Sequence, residues 1–172
     1  MLLCCRWPCR VSCPEAIRNE RRTVLQVKRL GDIYLIRLEH GEEVISRLRQ
    51  FADTYRVGFG ALRASGALER VLLGHYDAET SSFRLRELEE HVEVLALSGD
   101  VAQDEDGEPS VRAHVTVARS DYSTMGGRLM EATAAPALEI IVETAPGTVR
   151  RRHDAENGLD LWDLTARETL TV

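Results

Sequence analysis

Residues 109–143 read PSVRAHVTVARSDYSTMGGRLMEATAAPALEIIVE. From Val111 to Val117 the apolar residues Val111, Ala113, Val115 and Val117 alternate with Arg112, His114 and Thr116. A period of two sends successive side chains to opposite faces of a strand, so the apolar set is predicted to face a core and the polar set the other side. That second face is unusually polar for a central strand. Ser120-Asp121-Tyr122-Ser123 predicts a turn. Gly126-Gly127 lets another backbone approach closely, because neither residue carries a Cβ. Glu131 to Ala137 is rich in Ala and Thr, which predicts close packing. Leu138, Ile140 and Val142 then alternate with Glu139, Ile141 and Glu143 as a further strand.

Working outward from this stretch, Val92 to Asp100 reads as a strand closing on Gly99, and Gln103 to Glu108 as an acidic loop turning at Asp106-Gly107. Val57 to Asp77 carries Gly58, Gly60 and Gly66, which predict bends or close approaches within a strand pair. The clearest helix runs from about Glu42 to Arg56. Glu42 and Glu43 are expected in its first turn, where carboxylates favour the positive end of the dipole. Val44, Leu48, Phe51 and Tyr55 recur at helical spacing and form its core stripe. Before it, the runs TVLQVKRL and IYLIRLEH flank Gly31-Asp32, which suits a two-residue hairpin turn. Near the C-terminus, Asn157-Gly158 reads as a turn, with Leu159, Leu161 and Trp162 as anchors.

The chain has 172 residues, enough for one domain with tails, and its 44% hydrophobic and 29% charged content is that of an ordinary globular protein. The net charge of −6 argues against broad DNA affinity, since phosphate contacts need clustered Lys and Arg. Two basic groups, Arg21, Arg22, Lys28 and Arg29, and Arg150, Arg151 and Arg152, read as solvated charge at the domain ends. No apolar run approaches the ~18 residues of a membrane helix, and a cytoplasmic protein is expected. All four cysteines, Cys4, Cys5, Cys9 and Cys13, lie in a stretch without periodicity. Their spacing is not that of paired zinc-ribbon ligands, and residues 1–22 are expected to form a disordered tail.

The frame Pro109, Arg112, His114, Gly126, Gly127, Arg128, Leu129 and Leu138 to Glu143 resembles the PPC ("plant and prokaryote conserved") domain. Members of that family typically show P-x-x-H-x-H, then G-G-H-L, then a strand of the T-x-E-I-x-I-x-E kind. Gly74-His75-Tyr76-Asp77 matches the ending of another family strand, and the resemblance spans about Val24 to Leu164. It implies an α+β fold: a mixed, largely antiparallel β-sheet with one main α-helix, similar in outline to acetolactate decarboxylase. The domain is expected over 23–165, with a C-terminal tail at 166–172. The resemblance also implies a homotrimer, built by sheet edges and Ala-rich faces, and a DNA-binding or transcription-associated role. DNA or a DNA-binding protein is thus an expected partner, and a membrane is not. The R-G-R-P element that accompanies plant members is missing.

Family members often hold a metal with three histidines. Here Arg112 and Arg128 stand at two of those positions, and only His114 remains. Arginine stays protonated and cannot ligate a metal. No metal, cofactor or catalytic residue is therefore assigned, and a non-enzymatic oligomerising module is the leading expectation. Two readings of the arginines stay open. Arg112 and Arg128 pair with Glu131, Glu139 or Glu143, in the same subunit or across an interface. Alternatively, Arg112, His114 and Arg128 form an anion site for a carboxylate or phosphate, as in a sensor or a degenerate decarboxylase-like enzyme. The other histidines, His40, His75, His91 and His153, have no spaced catalytic partner, and the chain carries no G-x-S-x-G, G-x-G-x-x-G or Walker element.

Overall fold

A computed structural model describes residues 24–156 and 158–165. The expected N-terminal tail with its cysteines, residues 166–172 and Asn157 lie outside the described residues. The hairpin forms as read: β1 (Gln26–Leu30) pairs antiparallel with β2 (Ile33–Glu39), and Leu30 faces Ile33 across Gly31-Asp32. Tyr34, Ile36 and Leu38 are buried, and Ile33 and Leu35 point the other way.

Helix α1 (Val44–Tyr55) begins later than the sequence implies. Glu43 is its N-cap rather than a first-turn residue, and its carboxylate accepts the Ile45 and Ser46 amides at 3.0 and 2.6 Å. A carboxylate that satisfies orphan amides holds the chain extended at the cap and delays the first helical turn. The same carboxylate accepts the Ala132 amide at 3.3 Å, tying the helix end to the sheet. Glu42 turns back instead, accepting the Glu39 amide at 2.8 Å and pairing with Arg47 at 2.6 Å. Arg56 adopts a left-handed conformation and ends the helix, as C-terminal caps commonly do. Val44, Leu48 and Phe51 are buried as read, whereas Tyr55 is 41% exposed and packs edge-on to Tyr34, with ring centroids 5.2 Å apart.

The remaining strands are β3 (Gly60–Asp77), β4 (Ser82–Leu88), β5 (Val92–Gln103), β6 (Pro109–Ala118), β7 (Thr124–Thr144), β8 (Arg151–Asp154) and β9 (Leu159–Trp162). The expected strand pair at Val57–Asp77 is one long strand. Gly66 bends it through a register shift at a positive φ instead of reversing it, and an added Cβ there would sit 2.5 Å from the Ala137 carbonyl. Likewise Gly126-Gly127 and the Ala-rich stretch belong to a single strand, β7.

The seven-stranded sheet runs β1-β2-β7-β6-β5-β3-β4, with β3 also pairing β7. The ladders β3–β5, β5–β6, β6–β7 and β7–β3 therefore close a cycle; β2 and β1 extend from it beside β7, and β4 beside β3. Helix α1 packs against β5, β6 and β7, over the buried Val111, Ala113, Val115 and Val117. β8 and β9 form a separate hairpin, tied on by the Gln103 amide to the Val149 carbonyl at 2.9 Å.

Two substitutions test this packing by chemical denaturation. Phe51→Ala is expected to cost about 3–5 kcal/mol, because the ring is fully buried. Glu43→Ala is expected to cost about 0.5–2 kcal/mol through the lost cap. Wild-type stability in Glu43→Ala would show that the cap does not hold the helix to the sheet.

Candidate anion site

The register of β6 assembles the site. His114 on β6 lies directly opposite Arg128 on β7 and opposite Ser98 on β5, and Arg112 lies opposite Asp100. Residues paired across an antiparallel ladder share a face. Arg112, His114 and Arg128 are thus brought together, as read from the sequence, on the face away from α1. Arg112 and Arg128 are half-buried and His114 is exposed.

Within the chain the glutamates named as partners lie elsewhere on the sheet. Glu143 pairs with Arg63, Glu131 lies near Arg70, and Glu139 borders a groove on β7. Strand register explains this: Glu139 and Glu143 sit on the C-terminal half of β7, beside β2 and β3, whereas Arg128 sits at its start beside β6. Arg112 donates instead to the Asp160 carbonyl. Arg128 lies over the Phe83 ring, 5.0 Å from its centroid, and its side chain makes no hydrogen bond or ion pair among the described residues.

A third guanidinium completes the cluster. Arg151, read from sequence as solvated charge, is only 4% exposed. It pairs with Asp100 and donates to the Asp160 carbonyl at 3.4 Å. Its guanidinium lies 6.0 Å from the centre of the Trp162 ring, and the Trp162 indole donates to Asp100 at 3.4 Å. Trp162 in turn packs edge-on to Phe59, with centroids 5.7 Å apart. The β8–β9 hairpin thus lays Arg151, Asp160 and Trp162 over the Asp100–Arg112 end of the site. The flanking Arg152 is exposed and pairs with Asp163 at 3.0 Å. No sequence signal separates Arg151 from Arg150 and Arg152, since the three residues are identical.

Burial lowers the pKa of Arg112, and the charges of Arg151 and Arg128 lower it further, with Asp100 and Asp160 partly offsetting them. Arg128 is lowered by burial first and then by Arg151. The Nε atoms of Arg112 and Arg151 are buried without a hydrogen-bond partner. A like-charged, partly desolvated cluster with free donors repels a cation and suits an anion. The three-histidine metal of the family does not fit these residues, since two of its positions carry guanidiniums, one of them engaged with Asp160. Among the described residues no group of three or more His, Cys, Asp or Glu side chains is placed to hold a metal.

A solved protein from Bacteroides thetaiotaomicron, named as a candidate DNA-binding protein, shares the fold with a TM-score of 0.78 and 24% identity, over 81% of this chain and 96% of its own. A second candidate DNA-binding protein, from Ralstonia eutropha, gives 0.75 and 27%, over 80% and 95%. A metal-containing protein from Archaeoglobus fulgidus gives 0.71 and 28%, over 81% and 97%. Acetolactate decarboxylases overlap more distantly. No protein of curated description matches the chain. In contrast to a metal-containing relative, elemental analysis of this protein is expected to find well under one equivalent of zinc or iron per chain. Near-stoichiometric metal that is lost in His114→Ala would overturn the guanidinium argument. The profile of the Plants and Prokaryotes Conserved (PCC) domain, the PPC domain named above, matches residues 25–146, and the chain belongs to that family.

Proposed function

We propose that this chain is a non-enzymatic binding module that assembles with copies of itself as a homotrimer. The observation that carries the reading is an outward-facing groove of about 660 Å³ on β1, β2, β7 and β3. Leu35 and Ile141 are cross-strand partners in it, with Lys28, Arg37, Arg63 and Glu139 around them. Ile33 and Leu35 on this face are 39% and 37% exposed. An antiparallel sheet with one solvated face normally alternates cleanly to polar residues. Apolar groups rimmed by charges of both signs match the core-and-rim pattern of a protein interface. The number three rests on the family resemblance. Sedimentation equilibrium at micromolar concentration is expected to give three chains, and Leu35→Lys with Ile141→Lys to give one. A monomeric wild-type protein would overturn the assembly.

The proposed location is the cytoplasm; no helix among the described residues is long and apolar enough to cross a membrane. The candidate DNA-binding relatives support a transcription-associated role, and the net charge of −6 favours contact through a DNA-binding protein over direct contact. Fluorescence anisotropy with a labelled duplex at about 50 mM salt, where phosphate contacts are strongest, is expected to show no binding. Binding with a steep salt dependence would reverse this order.

The guanidinium cluster favours a second activity on the same scaffold. Arg112, His114 and Arg128 bind a small anion, with an N–H of the exposed imidazole as an added donor.

A further inference from the structure

The geometry points to Arg151 as the third arm of that anion site, and to a compact tetrahedral dianion, a phosphate, as its ligand. This deepens the anion reading and rests on it. Three strands converge here: β6 supplies Arg112, β7 supplies Arg128 and β8 supplies Arg151. Arg112 and Arg151 share one acceptor, the Asp160 carbonyl, so their guanidiniums meet at a single point. Arg128 stands one ladder rung away, opposite His114.

The donors left over define the ligand. The Nε atoms of Arg112 and Arg151 are buried and unpartnered, and the Arg128 guanidinium, 5.0 Å from the Phe83 ring centroid, has no hydrogen-bond or ion-pair partner among the described residues. Among the described residues Asp100 is the one carboxylate within ion-pair distance of a guanidinium of the cluster; Asp160 contributes its carbonyl, and its carboxylate lies 3.0 Å from His153 Nδ1. Asp160 also acts electrostatically on Arg112 and Arg128, so three guanidiniums against two carboxylates leave a net positive charge and more donor edges than the carboxylates fill. A planar carboxylate fills one arginine fork and carries one charge. A tetrahedral oxyanion presents several oxygen edges and carries about two charges near neutral pH, so it can engage forks arriving from different strands.

The hairpin also sets how available the third arm is. Asp100 occupies one end of Arg151, so it competes with an incoming anion for that guanidinium. Removing the Asp100 charge frees a donor and raises the local positive potential. A purely structural Arg151 gives the opposite expectation, because loss of its partner loosens the hairpin without improving a site.

The test is calorimetric titration of the full chain with inorganic phosphate at constant ionic strength, with acetate as the planar monoanion and a sugar phosphate as the monoester. Saturable binding of phosphate and of the monoester, and none of acetate, is expected. Arg128→Gln and Arg151→Lys should each weaken phosphate binding about tenfold or more, since lysine keeps the charge but loses the fork. Asp100→Asn should tighten it severalfold. No saturable binding of phosphate, monoester or acetate by the wild-type protein overturns the anion reading and this assignment together, and acetate binding without phosphate binding overturns this assignment alone. Binding weakened by Arg128→Gln but unchanged in a folded Arg151→Lys, or not tightened by Asp100→Asn, overturns Arg151 as a ligand and leaves the anion site standing. Acetate binding as tight as phosphate overturns the dianion. Should Arg151→Lys fail to fold, Asp100→Asn decides alone.

Discussion

The ladder between β3 and β7 is the contact on which the rest of the structure depends. It runs from Gly60 opposite Thr144 to Gly74 opposite Arg128, and it closes the cycle of strands that would otherwise remain an open sheet. Two strands this long stay in register only if their twist is relieved along the way, and the register shifts near Gly66 and Leu72 provide that relief. Close backbone approach is built into the same ladder: a Cβ on Gly127 would lie 2.9 Å from the Gly74 carbonyl. With β7 held at both ends, its start reaches β6 and builds the arginine face, and its end reaches β2 and builds the groove.

The arginine face is expensive to maintain. A buried ion pair such as Arg151–Asp100 costs desolvation that its attraction does not always offset. Replacing the cluster with apolar residues of similar volume would commonly be neutral or stabilising in such a position. The arrangement is therefore better explained by what it binds or orients than by what it adds to stability. Hydrophobic packing of α1 and of the inward residues of β2, β6 and β7 carries the fold without it.

The two outward features lie on different parts of the sheet. The groove is centred on the β2–β7–β3 segment, and the arginines lie on the β5–β6–β7 segment. A scaffold of this kind can assemble through one surface and keep a ligand site on another. It also explains how a family can retain its fold while the chemistry of one face changes, since outward residues of a strand can be exchanged without touching the core.

Much of this was legible in the chain itself because strand and helix periodicity are local properties. The alternation at Val111 to Val117 predicted which residues are buried, and the same alternation placed Arg112 and His114 on the opposite face, where the register sets Arg128 beside His114. The start of α1 was less legible, since whether Glu43 caps the helix or sits inside it depends on its contact with Ala132, 89 residues away. Arg151 was read as solvent-exposed for the same reason. Three consecutive arginines look alike in sequence, and only the folding of β8–β9 against Asp100, 51 residues distant, buries the middle one. Local pattern decides which way a side chain points; which neighbour it meets is decided by long-range closure of the sheet.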